Sequence, residues 1–534
     1  MTHAPKLVTK PARWNPIEYA RILLHDRRVN FLFISYQAVV GLIRNTVWIG
    51  MYRAAVSMSI PWAAAYLWDV GKLVEKLSVN IESDNYDAPF GAKLHAEVVS
   101  KLDLLERFAP NLKQAIELRG TIALLSGRTA EWLAIQYQVF EFQEYQARLV
   151  SVGYPNTRIL EPYFHILIGI GSTVHLDAYV KAGILGLRPP SRTVILHEPW
   201  LRRYAVNPCL LDYWRKYIDI VEDPAELRKL RPLRTSLGFN VTGPMQCGNK
   251  TIPWGHSAAV YVQEQWDRQA RPPLLHLTNE HRMRGMQVLK SIGLQENAWF
   301  AVLHVREGKF GEHRMAEPYR DAYPTTYFEA ITAITNRGGW VIRIGDASMT
   351  PVPMMDNVWD YATSNFKCDW MDVFLCATAR FMIGTSSGPA TISRAFGVPI
   401  AMTNYLPSAA LYLAMHDLFL PKLLREKNSG NMVSFERQMS LPLSACVSDG
   451  MYKNLYGIEI IYNTPQEIRG LVEQMMDTLD GKTGSTAEDA SLQKRFKLMT
   501  AERETLPGLP GFELQCSIGR QFLQQHHKLL DNIT

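Results

Sequence analysis

The sequence predicts an α/β fold in which two doubly wound, parallel-sheet units follow an all-helical N-terminal region. Three observations carry this. Residues 298–482 alternate short apolar runs with amphipathic stretches, the pattern of a parallel sheet covered on both faces. Residues 153–197 show the same alternation: an apolar run, a glycine turn, a helical run and the strand-like RTVILH. Before residue 153 the apolar positions instead recur at helical spacing. The 534 residues leave room for roughly three or four domains. A hydrophobic share of 47% with 20% charged residues suits a soluble globular chain.

Charge and cysteine usage narrow the function classes. Among residues 1–53, eight Lys/Arg against two acids, Glu18 and Asp26, account for the whole chain's +6. The remainder is near neutral, which disfavours a nucleic-acid face. Six scattered cysteines form no CxxC and no zinc spacing, which favours a reducing, cytoplasmic compartment. No signal peptide is expected, because the first apolar region lies deep and no small-residue cleavage site follows closely.

The first segment, residues 1–80, is expected to be a basic amphipathic helical arm. Asn15-Pro16-Ile17-Glu18 has the form of a helix start. The apolar runs that follow are interrupted by Arg44, Arg53 and Pro61, and each is shorter than the roughly 20 residues a membrane span needs. Three readings stay open: a helix lying on the inner face of the cytoplasmic membrane, a hairpin packed on the protein and, against the run lengths, a true span. Residues 81–152 are expected to be helical. Gly120 and Gly127 give "AIELRGTIALLSGRTAEWLA" a helix-turn-helix rhythm resembling part of one tetratricopeptide unit, with Trp132 where a small residue is expected.

The first α/β unit is placed at 153–297. Gly169-Ile170-Gly171 forms its first turn, but Val174 stands where a dinucleotide fingerprint needs glycine, so no NAD site is expected. His175 and Asp177 follow that turn near the carboxyl edge of the sheet and are candidate catalytic residues. The alternative is a helix cap or packed polar groups.

In the second unit, strands are expected at 299–305, 340–346, 357–362, 380–385, 399–404 and from 457. An acid-headed helix is expected at 369–379, and Thr464 and Glu467 form a capping box. The stretch Thr385-Ser386-Ser387-Gly388-Pro389 lies between a strand and a helix, with Pro389 expected as the first helical residue. Free amides, hydroxyls and a glycine there suit a phosphate, and they also suit an unliganded cap. His304 and Arg306 end one strand, and Arg343, Gly345 and Asp346 end the next. Thr391 and Arg394 lie on the helix that follows the turn. Gathered at one edge, these groups suit a diphosphate. The bland alternative is a set of structural ion pairs, Asp346 with an arginine for example.

HVRE, YRDA (319–322), RGGWVIRIGDASMTPVP, NVWDYATSNFKCDWMDVFLCATARFMIGTSSGPATISRAFGVPIAMTN and GIEIIYNTPQEI resemble a bacterial family of glycosyltransferases, densely over 299–470 and more thinly over 155–298. IGRQFLQQHHKLL resembles the C-terminal helix of that family. The resemblance implies two Rossmann-like domains facing a cleft, the GT-B architecture. The second domain (298–482) would hold the nucleotide sugar and the first (153–297) the acceptor. Helices in 483–534 would follow, the last returning to the first domain. HVR also resembles the His-x-Arg of fucosyltransferase-like enzymes, which implies a phosphate contact for Arg306. The family's IGH turn reads Ile170-Gly171-Ser172 here, with His175 as the candidate substitute.

No Asp-x-Asp pair occurs anywhere, so metal-held diphosphate is disfavoured and no cofactor is expected, the nucleotide sugar being a substrate. The function expected is transfer of a sugar from a nucleotide-sugar donor to a cell-surface glycan or lipid-linked acceptor, with inverting chemistry expected by analogy alone. Two competing readings are a non-catalytic scaffold of a glycan-assembly complex and a nucleotide-sugar epimerase. The epimerase is disfavoured because Thr391, Ser393 and Arg394 stand where paired glutamates would hold the ribose.

Overall fold

The computed structural model describes residues 61–108, 113–151, 153–160, 170–197, 207–307, 318–406, 413–482, 484–502, 504–506, 509–510 and 514–531. The basic stretch 1–53, Gly169 and the residues just after Glu307 lie outside the described residues.

Four helices come first: α1 (Pro61–Glu82), α2 (Ala88–Phe108), α3 (Lys113–Leu125) and α4 (Thr129–Val150). Pro61, read above as a break, opens α1, a position where its missing N–H costs no helical hydrogen bond. Val70, Val74, Leu77 and Ile81 recur on one face of α1 and are buried with Leu424, Met451, Tyr452 and Ile458 of the second unit. From Val70 onward this helix is therefore packed on protein. Helices α3 and α4 turn on Gly127, whose φ of +71° a side chain would strain. Trp132, Leu133, Ile135 and Val139 of α4 join the core of the first unit. The helical region thus packs on both units. Among the described residues no helix is long and apolar enough to cross a membrane.

The first unit holds β1 (Thr157–Leu160), α5 (Thr173–Ile184), β2 (Arg192–Leu196), α6 (Pro208–Trp214), β3 (Asp219–Val221), α7 (Pro224–Leu230) and β4 (Gly238–Phe239). Its sheet is parallel throughout, in the order β3-β2-β1-β4. A short hairpin of β5 (Met245–Cys247) and β6 (Lys250–Ile252) leads into α8 (Gly255–Arg268), and α9 (Asn279–Ser291) leads to the second unit. Asn207 caps α6 by accepting from the Leu210 amide at 2.8 Å and donates across to the carbonyl of Asp369 at 2.9 Å. One side chain therefore starts a helix and ties the two units together.

The second sheet runs β7 (Phe300–His304), β8 (Trp340–Arg343), β9 (Val358–Asp360), β10 (Phe381–Gly384), β11 (Ile400–Tyr405) and β12 (Leu418–Pro421) in sequence. In space β12, β11, β10, β7, β8 and β9 lie side by side, all parallel. Every residue of β7, β10, β11 and β12 is buried, as a sheet covered on both faces requires. Each such aliphatic or aromatic side chain contributes about 1.5–3 kcal/mol on leaving water. The covering helices include α10 (Phe328–Asn336), α11 (Asp369–Thr378), α12 (Gly388–Ala395) and α13 (Pro465–Leu479). The reciprocal Thr464–Glu467 cap opens α13 as its sequence predicts.

Two features differ from the sequence reading. The strand from 457 is not part of the parallel sheet. As β14 (Ile458–Ile461) it pairs antiparallel with β13 (Leu423–Glu426). Ile458 and Leu424 of this ribbon bury against α1 and α2, while Arg425 and Glu459 pair at its exposed face. The chain's last helix, expected to return to the first unit, packs on the second. The strand Ser517–Ile518 pairs parallel with β12 and delivers α15 (Arg520–Gln525) onto α13 and α14 (Ala487–Glu502). There His526 meets Glu467 at 2.9 Å and Gln524 meets Asp489 at 2.5 Å.

Candidate active site

The carboxyl ends of β7, β8 and β10 share one edge, because Leu303 lies opposite Arg343 and His304 opposite Gly384. Gly384 is needed there, since a Cβ would collide with the carbonyl oxygen of His304. Thr385 laces the two strand ends together. Its amide donates to the His304 carbonyl at 3.2 Å, and its Oγ1 accepts from the Arg306 amide at 2.9 Å. Its role here is to fix the edge.

Ser387 is the N-cap of α12 by position, with Gly388 first in the helix and Pro389 second, one place later than expected. Its hydroxyl makes no capping bond. It pairs with Nδ1 of His304 at 2.9 Å instead. The Ser387 side chain therefore leaves the amides at the head of α12 to another acceptor. His304 is buried, and that burial, with Arg343 and Arg306 close by, pushes its pKa down to about 3. The imidazole is neutral at physiological pH and serves as a hydrogen-bonding group.

The head of α12 meets the first unit. Thr391 Oγ1 donates to the Ile170 carbonyl at 2.9 Å, and a Cβ on Gly388 would lie 3.0 Å from Cβ of Ile170. Ile170–Ser172 is the turn that leads into α5, which carries His175. His175 is buried with its ring edge-on to His256 at 4.4 Å. His256 lies in the first turn of α8 beside Trp254, with ring centroids 4.8 Å apart. Burial and the Arg320 charge push its pKa down to about 4, so it too is neutral. Arg320 Nη2 donates to the Ser386 carbonyl at 2.9 Å. Arg320 thus touches the head of α12, and its charge is felt at His256 of the first unit.

The remaining candidates fall into two sets. Arg306 belongs to the edge, and its guanidinium pairs with Asp321. Gly345 lies beside the His304 ring, with a φ of +146°. Arg343 lies directly opposite Asp360 on β9 and pairs with it at 3.2 Å, also donating to the Thr350 carbonyl. Its charge reaches His304, but its hydrogen bonds serve the outer edge of the sheet, as a cross-strand ion pair does. Asp346 closes its own turn by accepting from the Ser348 amide at 2.9 Å, and the ion pair suggested for it is made by Asp360 instead. Asp177 is buried against Lys181 at 2.6 Å, one helical turn on, so it is engaged as a structural partner. Arg394, at the far end of α12, is buried among charges including Lys181, Asp267 and Asp417 rather than at the helix head.

Sequence reasoning missed Arg320, Asp321 and His256. YRDA was visible as a motif, but the 3-10 turn Pro318–Arg320 has no periodicity to mark it as an edge element. His256 was signalled only by a glycine before a helical run. Among the described residues no group of three or more His, Cys, Asp or Glu side chains is placed to hold a metal ion.

No family model matches this chain, and no curated protein matches it. Solved structures do. A glycosyl transferase family 9 protein from Veillonella parvula is 13% identical, over 50% of this chain and 86% of that one, with a TM-score of 0.33. The ADP-heptose lps heptosyltransferase II of E. coli is 12% identical, over 62% of this chain and 100% of that one, with a TM-score of 0.35. The dodecameric iron-containing heptosyltransferase TibC, solved with ADP-D-beta-D-heptose, is 12% identical over 61% of this chain and 77% of that one, with a TM-score of 0.35.

Proposed function

We propose that this chain is a glycosyltransferase that takes a sugar from a nucleotide-sugar donor. The second unit holds the donor and the first unit the acceptor. The observation that carries the reading is the head of α12. Its N-cap hydroxyl is turned to His304, Arg320 lies at Ser386, and a turn of the other sheet stands opposite. Helix-head amides with a neighbouring guanidinium suit the oxygens of a diphosphate leaving group. With no Asp-x-Asp in the sequence, the developing charge falls on Arg320, Arg306 and these amides.

In the inverting course we propose, the acceptor oxygen attacks the anomeric carbon as the bond to the diphosphate oxygen breaks. The acceptor's proton passes to the neutral imidazole of His256, with the ring of His175 edge-on beside it. The acceptor is a cell-surface glycan or its lipid-linked precursor, met at the inner face of the cytoplasmic membrane. The basic stretch 1–53 supports that location, since each cation adds about 1 kcal/mol of attraction to an anionic surface.

Incubation with ADP-, UDP-, GDP-, CMP- and dTDP-sugars tests the activity. Slow release of the nucleotide from one donor is expected. No hydrolysis and no thermal shift with any of them would leave the non-catalytic scaffold in its place. Sedimentation with anionic vesicles tests the location, and protein left in the supernatant would remove the membrane step.

A further inference from the structure

The segment that carries Arg320 and Asp321 is short, and its helical part is a single 3-10 turn, yet its backbone is pinned from three directions. Lys422, which follows β12, is fully buried. Its Nζ donates to the carbonyls of Tyr319 at 2.8 Å and Asp321 at 2.7 Å. The same ammonium lies 4.0 Å from the ring centroid of Tyr462. Asp449 accepts from the Tyr319 amide at 2.7 Å. The Ala322 amide donates to the Arg306 carbonyl at 3.0 Å. Burying a lysine and half-burying an aspartate to hold backbone atoms is costly, and a main chain needs no such pair merely to turn. What the pair fixes is direction: Arg320 toward Ser386, and the Asp321 carboxylate toward Arg306.

We propose that Lys422 and Asp449 are positioning residues for the donor site, holding Tyr319–Asp321 so that Arg320 and the Arg306–Asp321 pair face the diphosphate. The proposal rests on the donor-site reading above. It extends that site to two residues from elements outside the strand edge. Asp449 also begins the segment that grips α1. The Gly450 amide donates to Glu82 at 3.2 Å, and Asn454 donates to the carbonyls of Ile81 and Ser83 at 2.6 and 3.0 Å. The clamp thus joins the N-terminal helices to the site.

The test compares full-length wild type with Lys422→Met, Asp449→Leu, Arg320→Ala and the double variant Lys422→Met/Arg320→Ala. Binding of ADP, UDP, GDP, CDP and dTDP is measured calorimetrically, and backbone hydrogen exchange is followed at Tyr319–Ala322. Lys422→Met is expected to weaken the tightest nucleotide about tenfold, with the double variant losing clearly less than the sum of the two single losses, because part of what each change removes is the same Arg320 contact. Exchange at Tyr319–Ala322 is expected to quicken while β7 and β10 stay protected. Asp449→Leu serves if Lys422→Met does not fold, with the same two expectations. Losses that add in full, or unchanged exchange in a folded variant, overturn the clamp. If the wild type binds none of the nucleotides, the donor reading falls, and the exchange result alone still decides whether the clamp exists.

Discussion

At the scale of single residues, the site depends on a guanidinium and two neutral imidazoles held where sheet edge and helix head meet. Arg320→Ala removes one charge-assisted contact, expected to cost about 1.5–3 kcal/mol, or roughly 10- to 150-fold in nucleotide affinity. Calorimetric titration measures it, and the melting temperature should hardly move. The histidines set a pH dependence with a definite sign. His304 and His256, with pKa values pushed down to about 3 and about 4, stay neutral in the fold, while the unfolded chain takes up protons near pH 6.5. Their contribution is complete above pH 6.5 and is lost as the pH falls toward 3–4. Asp417 and Asp449, raised to about 6, act the opposite way between pH 6 and about 4. In denaturant titrations, His304→Gln should therefore lose less stability than wild type between pH 6.5 and 4. Equal slopes would mean that His304 is not the group held neutral.

At the scale of elements, the strands that form the edge were legible because a sheet covered on both faces writes itself as unbroken apolar runs. Phe300–His304 and Phe381–Gly384 fall inside the spans read from the sequence. The same signal misled at Ile458–Ile461, where a half-buried antiparallel ribbon shows a similar run. Side-chain direction was not legible. Arg343 and Arg306 both end strands, but Arg343 has Asp360 directly opposite and turns outward. Lys422 could not be anticipated either, since nothing near it in sequence explains a fully buried ammonium. Packing at the helix head gives a prediction at this scale. Gly384→Ala drives a methyl into the His304 carbonyl and should cost about 3 kcal/mol or more, read by denaturant unfolding. Thr391→Val removes the hydroxyl that donates to the Ile170 and Gly388 carbonyls and should cost about 1 kcal/mol.

For the whole molecule, the two parallel-sheet units meet at the α12 contact, and the N-terminal helices pack on both. The α/β class was read from alternation alone. The packing of α1 was not, because a basic, apolar, Trp-bearing segment has the same composition whether it meets lipid or protein. Val70, Val74, Leu77 and Ile81 decide it for their part of the chain. Removing residues 1–60 keeps α1 and these four side chains in place and is the reference for the next deletion. Removing 1–82 exposes that cluster, at about 1.5–3 kcal/mol for each large apolar side chain, and should yield aggregated or unfolded protein. Differential scanning fluorimetry of the two truncations separates these outcomes.

The most direct test is a crystal structure with the nucleoside diphosphate that binds most tightly. The phosphates should lie at the head of the Gly388–Ala395 helix, within hydrogen-bond reach of Arg320. A nucleotide seated elsewhere on the molecule, with that helix head unliganded, would contradict the account.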